Sequence, residues 1–75
     1  MVKLTILNRV KELRARFNFS QSVLAEKVGV TRQTIAAIEK GDYGPSLLLA
    51  LTICDVFQLK MEDVFVLNKE GKEDE

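Results

Sequence analysis

Histidine and tryptophan are absent from these 75 residues, and cysteine, proline and tyrosine occur once each. Each absence removes a class of chemistry. One thiol, Cys54, forms no disulfide within the chain, and without histidine there is no ordinary zinc site built from these ligands. Nothing is present to activate Cys54 as a histidine-assisted nucleophile, so it is expected to be a small core residue on an apolar helix. With no nucleophile constellation and no phosphate-binding glycine loop, neither enzymatic activity nor a cofactor or metal is expected. The longest apolar run, residues 47–51, falls far short of the roughly 20 residues of a membrane span, so no membrane association is expected. No small-residue cleavage site follows an apolar stretch near the start, which makes the cytoplasm the expected location.

What the chain does have is helical periodicity, best defined over residues 21–40, QSVLAEKVGVTRQTIAAIEK. Val23, Leu24 and Val28 recur at helical spacing, with Ala25 small enough for a crossing helix to approach closely. Gly29 supplies the left-handed residue that ends a helix without a Cβ penalty. Val30 plugs the corner, Thr31 is an N-cap, and Ile35 and Ile38 make the buried stripe of a second helix that stops at Gly41. Two helices joined by a short glycine-containing turn form the helix-turn-helix unit, whose second helix can lie in the DNA major groove.

The remaining pattern predicts five helices and an all-α domain over residues 1–68. The first helix spans 8–17, with Val10, Leu13 and Phe17 inward. The second spans 21–28 under a Ser20 cap, and the third 32–40. Pro45 and Ser46 open a fourth helix that runs to Phe57, and a short fifth covers 61–65 with Glu62 and Asp63 at its positive end. The ends are less settled: residues 2–6 alternate like a strand and 64–67 are β-prone, yet residues 4–7 could equally extend the first helix. Residues 69–75 are charged and glycine-broken and read as a disordered tail.

Zero net charge conceals two unlike halves. Residues 1–41 carry eight basic side chains against three acidic ones, and residues 42–75 carry three against eight. Such asymmetry suits a molecule with one face toward phosphates and another turned away.

Residues 9–14 (RVKELR), Ser20 with Gln21, Ala25, Gly29 with Val30, Ile35, Ile38 with Glu39, Gly41, Pro45 with Ser46, and 62–65 (EDVF) stand together in register. On these residues the chain resembles the phage-repressor and Cro type of helix-turn-helix regulator, the xenobiotic-response-element family. The resemblance covers about residues 8–65 and implies a five-helix, lambda-repressor-like domain that binds double-stranded DNA and regulates transcription, most commonly as a repressor. It assigns phosphate binding to Gln21, which in the family also braces the recognition helix. Base reading falls to the exposed start of the third helix, Arg32, Gln33 and Thr34, followed one turn on by Ala36 and Ala37. Arg32 suits the N7 and O6 of guanine and Gln33 suits adenine, whereas the two alanines offer only methyl groups. Thr31, Lys40, Arg9 and Tyr43 are the further candidates for backbone contacts. Arg14 and Glu39 match a largely buried ion pair that joins the first and third helices.

The fourth helix is more apolar than one core face requires. Leu47, Ala50, Leu51, Cys54 and Phe57 are read as its inward stripe. Leu49, Ile53 and Val56, with Phe65, Val66 and Leu67, are read as a homodimer surface, as family repressors commonly dimerise near the fifth helix. A different use of the same fold is an antitoxin that holds a toxin protein through that surface or the tail. Two departures from the family pattern mark an irregular junction: Gln58 where glycine commonly ends the fourth helix, and Lys60 where Ser or Thr commonly caps the fifth.

Overall fold

The computed structural model describes residues 3–70. Its elements run β1 (Lys3–Asn8), α1 (Val10–Arg16), α2 (Gln21–Val28), α3 (Arg32–Lys40), α4 (Leu47–Phe57), α5 (Met61–Val64) and β2 (Phe65–Glu70). The five expected helices are present, but the domain is not all-α. β1 and β2 pair antiparallel from Lys3↔Glu70 to Asn8↔Phe65. The strand alternative at the ends is the one realised, because α5 returns the chain to the start of α1, where the Arg9 amide donates to the Val64 carbonyl at 2.9 Å. That bond places two β-prone segments side by side, and each satisfies the other's backbone. The charged tail expected from residue 69 is shortened accordingly, since Lys69 and Glu70 belong to β2. Residues 71–75 lie outside the described residues.

Local caps set the helix limits. α1 starts at Val10 rather than at residue 8, because Asn8 is the last residue of β1 and its Oδ1 accepts from the Val10 amide at 3.1 Å. Left-handed residues at Gly29 (φ 82°) and Gly41 (φ 83°) end α2 and α3, as the glycines predict. Gln58 takes the same conformation at φ 58° after α4, so the expected irregularity is a glutamine doing a glycine's task. Its amide nitrogen donates back to the Asp55 carbonyl at 2.8 Å. Lys60 has no side-chain acceptor, and α5 is instead tied at its start by Asp63 Oδ2, which accepts from the Lys60 amide at 3.4 Å.

The core gathers Val10 and Leu13 of α1, Leu24 and Ala25 of α2, Ile35 and Ile38 of α3, Val64 of α5, and Leu49, Ile53, Cys54 and Phe57 of α4. The expected assignment of α4's two stripes is therefore corrected. Leu49 and Ile53 are buried and Val56 packs against the core, whereas Leu47 and Leu51, expected inside, are 71% and 49% exposed. The polar residues Thr52 and Asp55 decide the phase: they put the outward arc at 48, 51, 52 and 55. Phe65 is half-buried against the core, and only Val66 and Leu67 of the proposed dimer set are exposed. An apolar groove remains between α4 and the sheet, lined by Ile6, Leu47, Ala50, Met61, Phe65 and Leu67 among others.

Cys54 is a core residue, 4% exposed, with its sulfur 4.0 Å from that of Met61. Burial, and secondarily the charge of Asp63, push its thiol above the ordinary value of 9.0. A raised thiol pKa favours the neutral form in the folded state, so this contribution to stability is intact below about pH 9 and declines as pH rises beyond it. Labelling with a thiol reagent at pH 8 is expected to follow the unfolding equilibrium across a urea titration. Rapid labelling in native buffer would show that the sulfur is open to solvent.

Candidate nucleic-acid interface

Three caps and one glycine position the helix-turn-helix. The Ser20 hydroxyl accepts from the Val23 amide at 3.0 Å and starts α2, which puts Gln21 on its first turn. Gly29 closes that helix with its amide on the Ala25 carbonyl at 2.8 Å. Thr31 then starts α3 by accepting from the Thr34 amide at 3.3 Å, and the two threonine hydroxyls lie 3.1 Å apart. Ala25 is 3% exposed at this crossing and Ile35 is fully buried, so the small side chain and the apolar anchor fix the two axes.

The buried stripe of Ile35 and Ile38 leaves Arg32, Gln33 and Lys40 exposed, with Thr34, Ala36 and Ala37 half-buried. The first turn of α3 thus presents the long polar side chains, and the next presents only methyl groups. Thr31 and Thr34 are occupied with each other at the helix start. Tyr43, 47% exposed, follows α3 and lines a cleft with Ile38 and β1.

Behind this surface runs a continuous polar chain. The Arg14 guanidinium meets Glu39 through Nε to Oε2 at 2.8 Å and Nη2 to Oε1 at 3.3 Å. Its remaining Nη1 donates to the Phe19 carbonyl at 2.9 Å. The two side chains are 16% and 5% exposed, so the pair is largely buried. The hydrogen bond that Arg14 donates to Glu39 raises the Arg14 pKa further, against the opposing effect of burial. Gln21 Nε2 donates to Glu39 Oε1 at 3.1 Å, and Gln21 Oε1 accepts from Arg32 Nη1 at 3.2 Å. Arg14, Glu39, Gln21 and Arg32, drawn from α1, α2 and α3, therefore form one network.

Arg9 is not in it. Its guanidinium pairs with Glu12 (Nε to Oε1 3.2 Å, Nη2 to Oε2 3.0 Å) and donates to the Asp63 carbonyl at 3.2 Å. Glu12 also accepts from Arg16 at 3.1 Å. Hydrogen bonding with Glu12 raises the Arg9 pKa and lowers that of Glu12. As a phosphate candidate Arg9 is already engaged on the α5 side. One contact escapes sequence reasoning. Asn8 Nδ2 donates to the Ile38 carbonyl at 2.8 Å, tying β1 to the last turn of α3. It spans thirty residues, so no local spacing announces it.

Among the described residues no cluster of His, Cys, Asp or Glu could hold a metal ion, and no helix is long and apolar enough to cross a membrane.

Comparison with known proteins agrees with this geometry. The model of the helix-turn-helix family matches residues 10–64. An HTH-type transcriptional regulator of Bacillus subtilis (strain 168), YgzD, is 73% identical over 64 residues, 85% of this chain and 97% of that protein. Among solved structures, the restriction-modification controller protein C.AhdI from Aeromonas hydrophila has a TM-score of 0.69 at 27% identity, covering 73% of this chain and 83% of that one. The transcriptional regulator VanUg has a TM-score of 0.73 at 25% identity and covers 89% of both chains. With the hinge at Gly29, the capped α3 and the Arg14–Glu39 pair all in place, the chain belongs to the phage-repressor and Cro type of the helix-turn-helix family.

Proposed function

We propose that this chain is a sequence-specific double-stranded DNA-binding transcriptional regulator, acting in the cytoplasm as a homodimeric repressor without enzymatic activity. The observation that carries the reading is the exposed first turn of α3, where Arg32 and Gln33 stand beside Gln21 on a rigid capped scaffold. α3 enters the major groove, Arg32 and Gln33 read base edges, and Thr34, Ala36 and Ala37 come close to thymine methyls. Gln21 at the start of α2, together with Thr31, Lys40 and Tyr43, meets the phosphates. The relatives named as transcriptional regulators support the same assignment.

The dimer surface we propose is the exposed face of α4 and the sheet rather than Leu49, Ile53 and Val56. Leu47, Val66 and Leu67 line the apolar groove, Leu48 and Leu51 lie on the outward arc of α4, and all five are between 46% and 76% exposed. A second copy there sets the spacing of two recognition helices and blocks promoter access by occupying two half-sites.

Selection of bound sequences from random duplex DNA, followed by salt titration of the best site, tests the reading. Palindromic half-sites and a steep loss of affinity with salt are expected. Enrichment of no sequence would refute it. Arg32→Ala is expected to weaken the selected site by about 1–3 kcal/mol and to relax preference at one position. Equal weakening on every sequence would make Arg32 a phosphate contact instead.

A further inference from the structure

The two ends of α3 are held by different parts of the chain. At its start the helix follows the Gly29 hinge and is capped by Thr31. Its other end is held from β1 and α1. Asn8, the last residue of β1, donates from Nδ2 to the Ile38 carbonyl at 2.8 Å, while its Oδ1 accepts from the Val10 amide at 3.1 Å. One carboxamide therefore joins the first turn of α1 to the last turn of α3. The Ile38 carbonyl is among the four that a helix leaves without an intrahelical partner, and it accepts from the Gly41 amide as well, at 3.0 Å.

Packing alone does not set this end of α3. Beyond the Asn8 bond, a cleft of about 250 Å³ separates β1 from the loop after α3, lined by Leu4, Ile6, Gly41 and Tyr43 among others. Arg14 reaches the same turn, but through the Glu39 side chain, whose own torsions lie between the ion pair and the backbone. Asn8 grips the main chain directly. Lys40 stands two residues further on, exposed at the last position of α3.

We infer that Asn8 is a positioning residue for DNA binding: by holding the Ile38 carbonyl it sets the last turn of α3, and with it brings Lys40 to a backbone phosphate. This rests on the DNA-binding proposal above. Asn8 acts through the backbone of α3 rather than on DNA. Holding a long lysine stem at a phosphate costs rotamer entropy, and the cost rises when the turn beneath it moves too. The turn that carries Arg32 and Gln33 lies at the opposite end of the helix, under the Thr31 cap. Loss of the Asn8 bond therefore loosens the phosphate grip and leaves base preference as it was.

The test compares the wild type with Asn8→Ser, Lys40→Ala and the double variant, each as the full chain. Binding is titrated across salt concentration on the selected duplex and on duplexes carrying single base-pair changes, at a temperature where circular dichroism shows every variant folded. Serine keeps the net charge and an acceptor for the Val10 amide, but it is too short to reach the Ile38 carbonyl. For each bound protomer, Asn8→Ser is expected to lower affinity about tenfold at about 50 mM salt and about threefold at about 200 mM, the signature of about one lost phosphate contact. Discrimination among the duplexes should match the wild type. Lys40→Ala should show the same reduced salt slope, and adding Asn8→Ser to it should change the slope no further. Partial unfolding would instead scale affinity by one factor at every salt concentration.

A wild-type slope in either folded single variant would overturn the inference, as would slope losses that add in the double variant. Asn8→Ala separates the two bonds of the carboxamide, because it gives up the Val10 bond as well. A reduced slope in Asn8→Ala beside a wild-type slope in Asn8→Ser would assign the effect to the start of α1 and overturn the tether. If the wild type binds no duplex, the DNA-binding proposal falls and the inference falls with it. That outcome is distinct from binding whose salt slope is insensitive to residue 8.

Discussion

Replacing Glu39 with alanine is expected to lower the stability of the folded chain by about 3–5 kcal/mol, because the Arg14 guanidinium then stays largely buried without its counter-charge. Arg14 is 16% exposed and Glu39 5%, and the pair is forked, so solvent screens it little. The carbonyl of Phe19 still accepts one hydrogen bond from Arg14, but the donors that faced the carboxylate are orphaned. Gln21 loses its partner as well. A domain of this size has a total stability of roughly 4–11 kcal/mol, so the variant sits near the edge of folding at room temperature. Urea denaturation of the two proteins checks the figure, and a difference below about 1 kcal/mol would mean that the pair behaves as an exposed one. Removing both charges with apolar side chains of similar volume should restore much of the loss, since desolvation is then avoided on both sides. The ion pair would emerge from that comparison as a device for orienting α3 rather than for adding net stability.

Phe57→Ala is expected to cost a similar amount, about 3–5 kcal/mol, for a different reason. The ring is 2% exposed at the end of α4 and meets Phe17 edge-on at 5.2 Å and Phe19 at 6.2 Å between centroids. Phe17 and Phe19 flank the turn between α1 and α2, so Phe57 is the post against which that turn is set. Truncation leaves a cavity that a core this small has few side chains to fill. Thermal unfolding measures the effect, and a change within about 1 kcal/mol would show that Phe17 and Phe19 collapse into the space. Phe57 touches no part of the proposed DNA surface. A folded Phe57→Ala should therefore retain its sequence preference, in contrast to variants of the polar network.

Much of the fold was legible because its punctuation is local. Gly29 and Gly41 end helices, Ser20, Thr31 and Ser46 start them, and each of these residues acts within four positions of itself. What was less legible depends on distance. Residues 2–6 alternate apolar and polar side chains, but a strand exists only with a partner, and the partner of β1 lies some sixty residues away. In α4 nine of eleven residues are apolar, so the stripe toward the core was hidden among side chains of one kind. Thr52 and Asp55 are the residues of α4 that carry its phase. At the surface, Arg32 and Gln33 are exposed at the start of α3, where the buried phase of Ile35 and Ile38 puts them, whereas the engagement of Arg9 with Glu12 and the Asp63 carbonyl could not be read from spacing.

The pairing of β1 with β2 also orders events in time. Every helix here is closed by contacts between near neighbours, but Ile6 finds Leu67 only after the chain has looped through all five helices. Loop closure of that span is slow compared with helix formation, and it becomes favourable only once α5 has been carried back to Arg9. In order of synthesis β1 and the helices all precede residues 65–70. The first strand to be synthesised is then the last to be paired. Leu4, Ile6 and Leu7, still 46–59% exposed in the finished molecule, spend that interval with their backbone edge open.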